Sequence, residues 1–261
     1  IQTSFITEKN GFGEKILKKK NFNVYNLNKI KNLKLYPEDK IIIDTLGSLK
    51  EFLHKIKLDK IKKIVAFETT NQKFYKELII INGIFFTKKI IKPLNKFKKI
   101  YQGSKYFIFD RDYLKNESFF LPGNSILITS GGTDEKEFLY KFSKILINSN
   151  LNININVIIG SAIKKDNKIF KLKDNPKVKL YSNLKSLQKL IKSSYACITS
   201  GGKVMFESIK LGKPTFVCKT YENQKFAIKY FRQKKNIFSV GSINNIYTRK
   251  LILNLKELLS N

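Results

Sequence analysis

The chain has 261 residues, 42% apolar and 13% aromatic, enough to bury a sizeable core and too hydrophobic for a disordered polymer. Its formal charge of +31 rests on 51 basic residues, but only Arg111, Arg232 and Arg249 are arginines. Nucleic-acid recognition leans on arginine for forked and stacked contacts, so lysines dispersed among Ile and Asn argue against that class. They still make a basic surface that attracts phosphates or acidic lipid head groups, which suits peripheral membrane association. No run reaches the ~18 apolar residues that cross a bilayer, and the opening residues carry no signal-peptide pattern. The expectation is a cytoplasmic protein. Cys197 and Cys218 lie in apolar runs and read as small buried hydrophobes rather than a disulfide or metal pair.

In chain order, 8–19 and 48–57 predict helices, and "FNVYNL" (22–27), "KIIIDTL" (40–46), "KKIVAF" (62–67), "ELIIINGIFF" (77–86) and "YFIF" (106–109) predict strands. The stretch 111–124, "RDYLKNESFFLPGN", has no periodicity and holds Pro122-Gly123, which marks a linker. Two domains are expected, 1–122 and 123–261. The second alternates more cleanly: strands at 125–129, 155–160, 177–181, 196–200, 215–218 and 236–240, with helices at 134–149, 184–193, 203–211, 223–233 and about 245–259. Its strands are almost continuously apolar, as in a parallel sheet covered on both faces. The predicted class is α/β, doubly wound.

Two loops stand out. Thr129-Ser130-Gly131-Gly132-Thr133-Asp134 and Thr199-Ser200-Gly201-Gly202 each follow a strand and lead toward a helix. Glycine admits a ligand oxygen close to the backbone, and free N–H groups at a helix start attract phosphate. Each pair alone could simply make a tight turn; two in one domain favour a phosphate site. Glu207 sits five residues beyond Gly202 among apolar neighbours. It either accepts from vicinal ribose hydroxyls or is an exposed carboxylate paired with Lys203 or Lys210.

The segment "ITSGGKVMFESIKLGKPTFVCKTYENQ", through Ser200, Gly201, Gly202, Glu207, Gly212, Pro214, Asn223 and Gln224, resembles the C-terminal signature of GT-B nucleotide-sugar enzymes. The nearest branch in pattern is the UDP-sugar hydrolase of pseudaminic acid biosynthesis, with distant likeness to the family-28 glycosyltransferases of peptidoglycan synthesis. "ILITSGGTD" resembles the first loop of the same nucleotide-binding domain. The resemblance implies two Rossmann-like domains facing a cleft, with the N-terminal domain incomplete at its start. It implies that Gly131, Gly132, Thr133, Ser200, Gly201 and Gly202 hold the diphosphate and Glu207 the uridine ribose, while Asn223 and Gln224 line the sugar or phosphate side.

The chain departs from the family in three places. Lys203 and Val204 replace hydroxyl residues, Lys203 offering a cationic phosphate contact in exchange. The acidic pair after the third N-terminal strand is Glu68-Thr69. The family's G-x-G-H motif is absent: Gly11-Phe12-Gly13-Glu14 lacks the histidine, which places the motif upstream of Ile1.

Hydrolysis needs a base for the attacking water. His54 lies at helical spacing among apolar residues and reads as structural. Asp44, at a strand end, and Glu68 are the candidate acid/base residues, although both could cap helices instead. No metal-ligand spacing occurs and no cofactor is expected. The implied activity is release of UDP from a UDP-linked amino or deoxy sugar in surface-glycan biosynthesis. The alternatives are a GT-B glycosyltransferase using a UDP-sugar donor and a catalytically incomplete nucleotide-sugar-binding protein.

Overall fold

Where isoleucine and valine cluster in the first half, short parallel strands form, because branched side chains pack well on a pleated surface. The computed structural model describes residues 3–7, 12–26, 36–44, 63–67, 78–83, 99–114, 123–234 and 236–260. Strands β1 (Ser4–Thr7) and β2 (Asn23–Asn26) pair in parallel and are joined through helix α1 (Phe12–Lys19). Strands β3 (Lys40–Asp44), β4 (Lys63–Phe67), β5 (Leu78–Asn82) and β6 (Lys99–Gln102) form a four-stranded parallel sheet in sequence order. Among the described residues Ile43, Ile64, Ala66 and Ile80 are buried in it.

The strand expected at 106–109 does not form. Ser104–Tyr106 is a 3-10 turn, and β6 pairs with β5 earlier, at 99–102. The chain then runs back over the end of β5, so close that a Cβ on Gly83 would lie 2.5 Å from the Phe107 Cα. That crossing leaves residue 107 no room to continue the ladder. The expected helix at 48–57, with His54, lies outside the described residues, as does Glu68.

The chain divides into two units, Ile1–Ile108 and Phe109–Asn261, rather than near residue 122. Tyr113, in the short 3-10 turn Arg111–Leu114, is buried in the core of the second unit with Leu127, Cys197 and Val204, which draws 109–114 into that unit.

In the second unit, β7 (Ser125–Thr129), β8 (Asn154–Ile158), β9 (Val178–Tyr181), β10 (Ala196–Ser200), β11 (Thr215–Lys219) and β12 (Ile237–Ser242) run parallel. Among the described residues only β13 (Asn245–Ile246) is antiparallel, on β12. The order is β13-β12-β11-β10-β7-β8-β9. Numbered from β7, the parallel strands read 3-2-1-4-5-6, the doubly wound arrangement with its switch point between β7 and β10. Every residue of β7 and β10 is buried, as covering on both faces requires.

The period of two along β7 feeds two cores. Ile126 and Ile128 pack with helix α2 (Phe138–Ile147) and helix α6 (Thr248–Ser260). Leu127, between them, packs with helix α3 (Gln188–Ser193) and helix α4 (Lys203–Lys210). In α2, Phe138, Phe142 and Leu146 recur every fourth residue and make one buried stripe. This helix starts at 138 rather than the expected 134. Residues 134–137 turn first, with Glu137 at φ 55°, and the Asp134 carboxylate accepts from Leu139 N–H at 3.3 Å.

The Gly-Lys-Pro stretch after α4 is a helix stop. Gly212 has φ +70°, its N–H donates to the Ile209 carbonyl at 3.0 Å, and Lys213 N–H donates to the Ser208 carbonyl at 3.0 Å. This is the Schellman closure, followed by a proline that cannot extend the helix. Helix α5 (Lys225–Phe231) follows the 3-10 turn Glu222–Gln224 and packs on α4 through Phe206 and Phe231. Cys197 and Cys218 are buried, as the apolar runs around them predict, and Cys218 Sγ donates to the Lys219 carbonyl at 4.0 Å.

Candidate functional site

Thr129 and Thr199 are register partners on neighbouring strands, so the two Thr-Ser-Gly-Gly loops leave the sheet side by side. The helices that follow them pack on opposite faces, α2 in one core and α4 in the other. The loops therefore diverge at the switch point, where open α/β sheets bind their ligands. Ser200 Oγ donates to the Ser130 carbonyl at 3.3 Å and ties them together.

The first loop is shaped from behind. Gly131 has φ +96° and its N–H donates to Thr129 Oγ1 at 3.2 Å. Gly160, beyond β8, presses against this loop: a Cβ there would sit 2.2 Å from the Gly131 carbonyl oxygen and 2.6 Å from that of Gly132. Ala162 N–H donates to the Gly132 carbonyl at 3.1 Å. On the other side a Cβ on Gly131 or Gly132 would meet nothing within 4 Å among the described residues. The loop thus turns its carbonyls toward 160–162 and keeps an open approach at its glycines. Thr133 is exposed beside it.

The second loop enters its helix at once. Gly202 is the N-cap of α4, in extended conformation and without a side-chain cap, so the helix start keeps its attraction for anions. A Cβ on Gly202 would meet only Ser200 Oγ, at 3.6 Å, whereas one on Gly201 would meet Gln224 Cβ at 2.8 Å and Ile228 Cδ1 at 2.9 Å. Gly201 is therefore needed for packing against α5, and Gly202 for access.

A third loop, after β11, reaches the turn that precedes α2. Lys136 Nζ donates to the Thr220 carbonyl at 2.7 Å and stands 4.8 Å from the centre of the Tyr221 ring, and Tyr221 OH donates to Glu135 Oε2 at 3.3 Å. Gln224 was expected on the ligand side, but its Oε1 accepts from Thr220 N–H at 2.8 Å and Tyr221 N–H at 3.2 Å, so it shapes this loop. Asn223 is exposed. Thr220 Oγ1 is buried with no hydrogen-bond partner among the described residues. Nothing in the sequence singled it out, since a lone threonine carries no motif.

Glu207 is 4% exposed, which excludes the reading of a solvated surface carboxylate. Its Oε2 accepts from Tyr113 OH at 3.3 Å, and its Oε1 lies 3.6 Å from Lys203 Nζ. Lys203 also reaches both oxygens of Asp110, at 3.3 and 3.4 Å. Burial pushes the Glu207 carboxyl above its usual range, while the Lys203 ammonium and the Tyr113 hydroxyl pull it back down. Burial likewise raises the Tyr113 phenol, with the Glu207 charge adding to the effect. Side chains on a helix lean toward its N-terminus, so Glu207 points back toward the turn that begins at Gly202. Tyr113 was missed because it lies 94 positions away in the stretch read as a linker. Asp44 is exposed at the C-terminal end of β3, in the first unit.

Comparison with known proteins bears first on the fold. Over 100% of this chain and 83% of the other, it superposes on MurG of Acinetobacter baumannii with a TM-score of 0.60 at 12% identity. The fold is GT-B-like. UGT89C1 of Arabidopsis thaliana, solved with UDP, matches with a TM-score of 0.52 at 12% identity over 80% of this chain and 61% of that one. In sequence the chain is similar to the spore coat polysaccharide biosynthesis protein SpsG of Bacillus subtilis, 27% identical over 242 residues, 90% of this chain and 70% of SpsG. It is also similar to the uncharacterized protein MJ1062 of Methanocaldococcus jannaschii, 30% identical over 210 residues, 75% of this chain. The chain spans 43% of the length of MJ1062. No protein-family model matches. No helix among the described residues is long and apolar enough to cross a membrane.

Proposed function

We propose that this chain takes a UDP-sugar at the C-terminal edge of the sheet in its second unit and is a UDP-sugar hydrolase of surface-glycan biosynthesis, pseudaminic acid-like nonulosonates being the substrate class implied by its sequence pattern. The observation that carries this is the register of Thr129 with Thr199, which sets two open glycine loops at one switch point. The diphosphate would lie against Gly131, Gly132 and Thr133 on one side and Ser200, Gly201 and Gly202 on the other, with the start of α4 and the Lys203 ammonium facing it. These donors stabilise the negative charge that grows on UDP as the bond from the anomeric carbon to the phosphate oxygen breaks. Glu207 would take the ribose hydroxyls, and Asn223 the sugar side. Asp44 and Glu68 are the acid/base candidates for the attacking water. Likeness to SpsG, whose name places it in polysaccharide biosynthesis, supports the glycan setting.

A glycosyltransferase is the second reading, favoured by the fold shared with MurG. Acceptor-free assay separates the two. A hydrolase releases UDP from UDP-N-acetylamino sugars in water alone, and Asp44→Asn slows that release. UDP release that appears only when a hydroxyl acceptor is added identifies a transferase. No turnover under either condition, with UDP still bound, identifies a nucleotide-sugar-binding protein.

A further inference from the structure

The turn at 111–114 contributes a residue to this site that neither the glycine loops nor the helix after them supplies. Tyr113 is 2% exposed, and its ring packs among Leu127, Ile191, Cys197, Val204 and Leu211, which fixes where its hydroxyl points. That hydroxyl donates to Glu207 Oε2 at 3.3 Å. The other carboxylate oxygen faces Lys203, whose ammonium is shared with Asp110 and stands at 3.6 Å, longer than a hydrogen bond. Oε2 is therefore held by the Tyr113 hydroxyl, while Oε1, in a long ion pair with Lys203, keeps a lone pair for a further donor.

We propose that Tyr113 is a positioning residue: it clamps Glu207 Oε2 so that Oε1, turned toward the start of α4, accepts from a ribose hydroxyl of the bound nucleotide. This rests on the nucleotide reading of the site. A buried carboxylate without a donor on each oxygen turns toward whichever partner is available, and the nearest is the Lys203 ammonium. With Oε2 taken by a neutral hydroxyl from the 111–114 turn, the carboxylate keeps its orientation and its charge. The charged and titratable groups facing Glu207 are Tyr113 and Asp110 from the 109–114 segment and Lys203 from its own helix, and Cys197 faces the Tyr113 ring from β10. Asp110 opposes ionisation of Glu207, whereas Lys203 and Tyr113 favour it. Removing the Tyr113 hydroxyl withdraws one of the two favourable partners, so Glu207 protonates at a higher pH.

The test is calorimetric titration of the whole chain and of Tyr113→Phe with UDP and with 2′,3′-dideoxy-UDP, each across pH 5 to 8. The expected result is that the parent prefers UDP over the dideoxy analogue, and that Tyr113→Phe loses roughly fivefold to tenfold of that preference. The acid limb of UDP affinity also moves to higher pH in the variant. An unchanged preference and an unchanged acid limb in Tyr113→Phe overturn the positioning role while leaving the nucleotide site standing. A parent that binds both nucleotides equally overturns the ribose role of Glu207, and this inference with it. A parent that binds neither overturns the nucleotide site itself. If Tyr113→Phe does not fold, the parent carrying carbon-13-labelled tyrosine replaces it. The Tyr113 ring resonance then follows the same pH midpoint as UDP affinity, and a flat resonance overturns the role.

Discussion

The same four residues, Thr-Ser-Gly-Gly, end β7 and β10, yet they are used differently. After β10 the helix begins at Lys203, directly behind the glycines, so this copy presents a helix start. After β7 the helix waits until Phe138, and the intervening turn is held by Asp134 and by contact with Gly160. That copy presents a backbone loop instead. The glycines also differ: Gly201 is packed against α5, whereas Gly131, Gly132 and Gly202 face space that no atom of the described residues fills closely. Identical sequence therefore does not mean identical function; what lies behind each loop decides whether a glycine serves packing or access.

Substitutions that add one methyl group separate these roles. Gly160→Ala is expected to have the largest effect, because its Cβ would collide with two backbone carbonyls of the first loop. Loss of about 3 kcal/mol is expected, since backbone atoms cannot rotate away as a side chain can, and thermal unfolding measures it directly. Next, Gly201→Ala costs about 1–2 kcal/mol in the same measurement, because Ile228 can partly adjust. Gly132→Ala reverses the pattern: stability changes by less than about 0.5 kcal/mol, since the added methyl group meets no protein atom, while UDP affinity falls about tenfold or more. A Gly132→Ala variant that binds UDP normally would place the ligand elsewhere.

The smallest effect concerns pH. Burial raises the folded-state pKa of Glu207 above its unfolded value near ~4.3, so protonation favours the folded state. The stability linked to this group is complete below the unfolded pKa and declines as pH rises through the raised folded value. Glu207→Gln has no such titration. Relative to the parent, it gains stability, by about 1 kcal/mol or less, as pH rises from about 4 to neutrality. Denaturant melts at both pH values read the difference, and a constant offset would mean that Glu207 is not desolvated.

Local patterns made much of the second unit legible. Its strands announce themselves as short apolar runs because both faces of the sheet are covered, and β7 and β10 fall where the sequence places them. The glycine loops and Glu207 were likewise visible. What no local pattern carries is strand order, and the site depends on it: β10 lies beside β7 although about seventy residues separate them. Tyr113 was hidden for the same reason. Its role comes from insertion into a distant core, and the stretch around it, having no periodicity, reads as a linker. Gly160 ends an apolar run like any strand terminus, and only the close approach of the first loop explains it. In the first unit β6 has two apolar residues among lysine-rich neighbours, too few to stand out, while the more strand-like 106–109 is taken by the crossing over Gly83.

The most direct test of the central claim is calorimetric titration of the chain with UDP at moderate ionic strength, set beside CDP and ADP. Binding that selects UDP, and that weakens sharply in Gly132→Ala, is the predicted result. Equal, weak and steeply salt-dependent binding of all three would mean that dispersed lysines alone attract the phosphates, and would contradict a nucleotide site at the two glycine loops.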